Sequence, residues 1–141
     1  MEHSIFCMVK KALIVVVLLT GTGWLVFSQS NSLMQSMKRG QEVFNATCKN
    51  CHQENGQGMP GVYPPLAKSD FLAQDTKRAI GIVVNGIDGE IFVNGKKYNL
   101  DMPAQTQLSD QQVTDVLNFV RNSWGNKGKT ITITQVKAIR K

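Results

Sequence analysis

The chain has 141 residues, of which 42% are hydrophobic, 18% charged and 7% aromatic. This length and composition suit one globular domain and exclude collagen-like, coiled-coil and wholly disordered chains. Most of the formal net charge of +6 lies in the C-terminal tail, residues 126–141, because residues 29–125 contain equal numbers of acidic and basic side chains. A nucleic-acid-binding domain would spread its basic residues over a folded face, so we predict no nucleic-acid partner.

The first thirty residues have the pattern of a targeting segment. Lys10 and Lys11 precede an uninterrupted apolar run, Ala12–Leu19, which is the order found in signal peptides. The apolar stretch continues to Phe27 and is short for a membrane span. Residues 1–30 are therefore predicted to be a signal peptide or, if they are not cleaved, an N-terminal membrane anchor. Either way, the remainder of the chain is expected to leave the cytoplasm.

Two cysteines of the exported part lie in one short motif. Cys48 and Cys51 are separated by two residues and followed directly by His52, which is the C-x-x-C-H pattern of c-type haem attachment. Thiols at this spacing can add to the two vinyl groups of one haem, and the adjacent imidazole is carried to the iron. We expect one haem c, bound through thioethers to Cys48 and Cys51, with His52 as an iron ligand.

Three other uses of the motif fit the sequence less well. A thioredoxin-like redox pair would lie in a βαβ unit, and no strand pattern precedes Cys48. A zinc site needs four nitrogen or sulfur ligands, and residues 31–141 contain no further Cys or His. A plain disulfide between Cys48 and Cys51 would leave His52 without a role.

Helical spacing and turn residues predict the elements on both sides of the motif. Residues 33–47 are predicted to form a helix that runs into the motif, and Gly40 on this helix could admit a second helix closely. The segment Gln53–Asp70 is rich in Gly and Pro and is predicted to be a loop. A second helix is predicted over Thr76–Val84, with Asp75 as its N-cap.

A hairpin and a third helix follow. The segment Ile91–Tyr98 has two short β-prone runs around Asn94-Gly95, which is a strong signal for a two-residue hairpin turn. Ser109 and Gln112 have the spacing of a capping box. The third helix is therefore predicted to begin there, and its apolar stripe extends to Trp124.

The last fifteen residues are basic and fit two patterns. Ile131 and Ile133 alternate as in a strand, whereas Thr132 and Gln135 have the spacing of another capping box. We favour a short helix within the tail formed by residues 127–141.

The second axial ligand of the iron separates electron carriers from gas-binding proteins. Residues 31–141 contain no second His, so methionine is the natural candidate. Met34 and Met37 have core-like spacing on the first helix, and Met59 is only seven residues past His52. Met102, far along the chain and directly before a proline, is the predicted ligand.

Residues 38–124 resemble the monohaem class I c-type cytochromes of bacteria. The resemblance rests on Cys48–His52, Pro64-Pro65-Leu66 and Met102-Pro103, and on Gly40 and Phe44 facing Val120 and Trp124. It implies an all-α cytochrome c fold, with three to four helices around one covalent haem and a small β-hairpin before the axial methionine. The cytochrome domain would span residues 31–126. The resemblance also implies that the Pro64 carbonyl accepts a hydrogen bond from His52 and that Leu66 packs on the haem.

The same resemblance implies an electron carrier rather than an enzyme. His52 and Met102 would hold the iron, and single electrons would pass between redox partner proteins on the periplasmic side of the cytoplasmic membrane. The donor would be a dehydrogenase or a quinol-linked complex, and the acceptor an oxidase or a reductase. Two alternatives remain open, namely a permanent electron-transfer subunit of an oxidoreductase complex and a five-coordinate haem gas sensor or enzyme.

Overall fold

The computed structural model describes residues 32–140, and from Gln35 onward the chain forms one compact unit. The predicted signal peptide or anchor, residues 1–30, lies outside the described residues. Within the described part of the chain, no helix is both long enough and apolar enough to cross a membrane.

The described chain forms six helices and one antiparallel two-stranded sheet, which confirms the predicted fold class. The helix count exceeds the predicted three to four because two short helices, of four and five residues, were not predicted. In chain order the elements are α1 (residues 32–47), α2 (Lys49–His52), α3 (Asp70–Gln74), α4 (Thr76–Asn85), β1 (Ile91–Val93), β2 (Lys96–Tyr98), α5 (Asp110–Val120) and α6 (Ile133–Ile139).

The predicted caps and turn lie where the sequence places them. Asp75 accepts hydrogen bonds from two backbone N–H groups at the start of α4, and Ser109 and Gln112 form the complete capping box of α5. Asn94 and Gly95 have φ of 51° and 72°, as a type I′ hairpin turn requires. These contacts confirm the predicted starts of both helices and the hairpin.

Helices α1 and α5 cross at Gly40. A Cβ atom at this position would lie 1.9 Å from the Asp115 carbonyl oxygen and 2.9 Å from the Phe119 Cβ. One turn further along, the ring of Phe44 lies 5.6 Å from that of Phe119 and 5.1 Å from that of Trp124, centroid to centroid. The predicted close approach of a second helix to Gly40 is confirmed.

A buried polar network on α5 joins three parts of the chain. The Asp115 carboxylate accepts hydrogen bonds from the Ser36 hydroxyl at 2.6 Å and from the Arg39 guanidinium at 2.7 and 2.9 Å. The Asn118 side chain donates to the Ile131 carbonyl at 3.0 Å and accepts from the Ile131 N–H at 2.7 Å. The network ties α1 and the segment before α6 to the same face of α5.

The basic C-terminal segment contributes to the core. Thr132 and Gln135 form the predicted capping box, and α6 follows it, so the predicted short helix is confirmed. Ile131 and Val136 are 1% and 0% exposed, and α6 packs against α4 and α5.

The third predicted helix ends earlier than its apolar stripe suggested. Helix α5 stops at Val120, with Arg121 as its C-cap, and Trp124 has a φ of 54°, which α-helical backbone does not adopt. The prediction that this helix reaches Trp124 is therefore wrong. The Trp124 ring still packs against Phe44 and Phe119. Trp124 therefore belongs to the core, but it reaches the core from a turn and not from the helix.

Candidate haem-binding site

One cavity brings together all four residues predicted to bind the haem and its iron. Cys48, Cys51, His52 and Met102 line it, together with apolar side chains from α3, α4, β1 and α5. Its empty space is about 1120 Å³, a volume that includes solvent at its open mouth.

The short helix α2 places the two thiols and the imidazole on one turn. Cys48 is its N-cap, and the N–H groups of Cys51 and His52 both donate to the Cys48 carbonyl, at 3.3 and 3.0 Å. Residues three and four apart on such a turn share one face. Burial raises the pKa of Cys48 to about 11, and neither thiol is in a disulfide.

The His52 ring is buried and fixed in one orientation. It is 8% exposed, and its Nδ1–H donates to the Pro64 carbonyl at 3.1 Å. Burial lowers the pKa of His52, while the bond to Pro64 opposes this shift. With Nδ1 protonated, the neutral ring presents the Nε2 lone pair that a metal ligand needs. The implied role of the Pro64 carbonyl as acceptor is confirmed.

Gly58 allows the Pro64 carbonyl to reach the ring, a role that was not predicted from the sequence. It has a φ of 63°, and a Cβ atom there would lie 2.3 Å from the Tyr63 carbonyl oxygen and 2.7 Å from that of Pro64. Its own N–H donates to the His52 carbonyl at 3.0 Å. The only signal in the sequence was a glycine in the loop shortly after the motif. Which carbonyl groups lie against this glycine depends on the path of the loop, and the sequence does not determine that path.

The segment carrying Met102 is attached to the end of α4. The Ile87 and Met102 backbones exchange two hydrogen bonds, each of 2.9 Å. Gly86 has a φ of 78° and lies close to this pair of hydrogen bonds. A Cβ atom there would be 2.8 Å from the Met102 carbonyl oxygen, so a larger residue would push the two segments apart. By contrast, Met59 is 46% exposed and lies outside the residues that line the cavity.

The donor set and the walls fit a haem c. Two thiols, one imidazole and one thioether face a single cavity whose other walls are mainly apolar, and these groups match the attachment and axial-ligand chemistry of such a haem. Leu66 also lines the cavity, in agreement with the packing role implied for it.

Comparisons with known proteins agree with this chemistry. Residues 37–124 match the family model described as Cytochrome c. The chain is 41% identical over 110 residues to "Cytochrome c-552" of Thermus thermophilus, covering 72% of this chain and 83% of that protein.

Similarity also extends to larger redox proteins. The chain is 34% identical over 128 residues to "Gluconate 2-dehydrogenase cytochrome c subunit" of Pantoea cypripedii, covering 82% of this chain and 28% of that protein. It is 32% identical over 105 residues to "Alcohol dehydrogenase (quinone), cytochrome c subunit" of Gluconobacter oxydans, covering 72% of this chain and 22% of that subunit. The chain belongs to the cytochrome c family and is an electron-transfer protein with covalently bound haem c.

Proposed function

We propose that this cytochrome carries single electrons with His52 and Met102 as the axial ligands and with thioethers to Cys48 and Cys51. The observation that supports this most strongly is that one cavity is lined by the C-x-x-C-H motif on α2 and by a distant methionine thioether. Ligation by His and Met raises the potential of a haem, which suits electron transfer from a quinol-linked complex or a dehydrogenase to an oxidase or a reductase.

In this mechanism the protein mainly holds the site rigid. Bound haem c supplies the one-electron couple, while Pro64 fixes the orientation of His52 and the bonds to Ile87 fix the backbone of Met102. The apolar walls exclude water from the site. Since both ligands are held in place, little has to rearrange when the iron changes its oxidation state.

Optical spectra of the exported holoprotein test the axial ligand. We expect a low-spin haem with a sulfur-to-iron charge-transfer band in the wild type, and loss of this band in Met102→Ala. Met59→Ala is the matched control, because this exposed methionine lies outside the cavity and its removal should leave the band intact. A wild type that is high-spin and binds carbon monoxide readily would contradict the proposal and favour the gas sensor or enzyme.

The place of action is proposed to be the periplasmic side of the cytoplasmic membrane. The signal-like residues 1–30 and the haem attachment motif support this assignment. The mass and the membrane or soluble fraction of the mature protein would show whether residues 1–30 are removed. Full-length, haem-free protein in the cytoplasm of a host that matures cytochromes c would contradict an exported location.

A permanent role in a larger complex is the second candidate function. It is favoured by the relatives that are named as cytochrome c subunits of gluconate and alcohol dehydrogenases. Purification of the native protein under mild conditions would distinguish the two roles, because a carrier should be recovered alone and a subunit together with a dehydrogenase.

A further inference from the structure

Arg78, on the first turns of α4, carries an unpaired charge on the wall of the haem cavity. It is the only Lys or Arg among the described residues that line this cavity. Its Nη2 donates to the Phe71 carbonyl at 2.6 Å and to the Gln74 side chain at 3.3 Å, and its Cζ lies 4.0 Å from the centroid of the Phe71 ring. These contacts with α3 hold the guanidinium in place.

One polar group of this guanidinium is left without a partner. The Arg78 Nε is buried and makes no hydrogen bond, and none of the ion pairs among the described residues includes Arg78. A buried N–H without an acceptor destabilises the fold, because it has lost its hydrogen bonds to water and gained none in the protein. This cost and the unpaired charge both point to an anion that belongs at this site.

The haem itself carries such anions. A haem c has two propionate carboxylates, and carboxylates in a mainly apolar cavity require a hydrogen-bonding counter-charge. The other titratable side chains on the wall, apart from the two motif cysteines, are His52, Tyr63 and Asp101. None of them is a permanent cation, and Asp101 would repel a carboxylate. The planar guanidinium fork suits a carboxylate better than any other side chain does.

We propose that Arg78 is a haem-propionate-binding residue, whose Nε–H donates to a propionate while α3 holds its Nη2. The inference rests on the covalent haem of the proposed function. Oxidation adds one positive charge to the haem, so a cation beside it opposes oxidation. Arg78 therefore raises the reduction potential of this cytochrome.

Reduction potentials of holoproteins, measured by spectroelectrochemistry from mildly acidic to mildly alkaline pH, test the proposal. We expect Arg78→Gln to lower the potential and to raise the apparent pKa of the propionate seen in its pH dependence. Lys77→Gln is the matched control, because it removes the same charge from an exposed neighbour that does not line the cavity. Equal potentials for Arg78→Gln and Lys77→Gln at every pH would overturn the proposal.

A second variant covers the case in which Arg78→Gln does not accumulate with haem. Arg78→Lys keeps the charge but loses the Nε–H, so the potential should stay near that of the wild type while the apparent propionate pKa rises. An unchanged pH dependence in Arg78→Lys would overturn the proposal. The sulfur-to-iron band of the same samples reports Met102 ligation separately, so a failure of the axial assignment is distinguishable from a failure at Arg78.

Discussion

Replacing Gly40 by alanine should lower the free energy of unfolding of the ferric holoprotein by about 3 kcal/mol. The new methyl group would lie 1.9 Å from the Asp115 carbonyl oxygen, and this backbone atom cannot rotate away. Helices α1 and α5 would have to separate, which would loosen the packing of Phe44 against Phe119 and strain the hydrogen bonds between Asp115 and α1. Denaturation by urea, followed by circular dichroism, measures the change.

Gly81→Ala is the matched control for this prediction. Gly81 also lies within a helix, but a Cβ atom there would have no neighbour within 4 Å. Alanine in a helix is more favourable than glycine by about 0.5–1 kcal/mol, so this variant should be slightly more stable than the wild type. Similar effects of Gly40→Ala and Gly81→Ala would contradict the assigned role of Gly40.

Replacing Gly58 by alanine should disturb both the stability and the haem. Its φ of 63° is strained for alanine, and its Cβ would lie 2.3 Å from the Tyr63 carbonyl oxygen and 2.7 Å from that of Pro64. Backbone strain and overpacking together should cost about 3 kcal/mol. Displacement of the Pro64 carbonyl would weaken the hydrogen bond to His52, and the ring would then be a poorer donor to the iron. The reduction potential should therefore rise.

Gly61→Ala separates these effects. Gly61 has a φ of 77° and no neighbour within 4 Å of the position of a Cβ, so alanine there adds backbone strain of about 1–2 kcal/mol and no contact. Its potential should equal that of the wild type. If Gly58→Ala and Gly61→Ala had the same stability and reduction potential, the position of the Pro64 carbonyl would not depend on Gly58.

Local signals in the sequence were sufficient to place most of the secondary structure. Each of these signals acts on backbone groups only a few residues away. Examples are the N-cap Asp75, the capping box of Ser109 with Gln112, and the turn Asn94-Gly95. Their effect hardly depends on the rest of the fold. Short helices such as α3 escaped prediction, because five residues show no helical periodicity.

Features that depend on distant contacts could not be predicted in this way. Asp115 and Asn118 are polar residues on a helix, and nothing in their local sequence indicates that both are 2% exposed. Their burial is compensated by partners that include Ser36 and Ile131, and only the tertiary fold selects these partners. Arg78 was missed for the same reason, since its position on the cavity wall follows from the packing of α4 against α3.

The paired hydrogen bonds between Asn118 and Ile131 also determine which part of this chain can be fused to another protein as a folded domain. The match to the family model ends at residue 124, but a fragment cut there would leave the buried amide of Asn118 without Ile131 and would remove Val136 from the core. A fusion junction placed after α6 should preserve cooperative folding. Because residues 127–141 complete the core, the effect of their positive charge on redox partners should be tested by neutralising exposed side chains such as Lys127, Lys129 and Lys137 and not by deleting the segment.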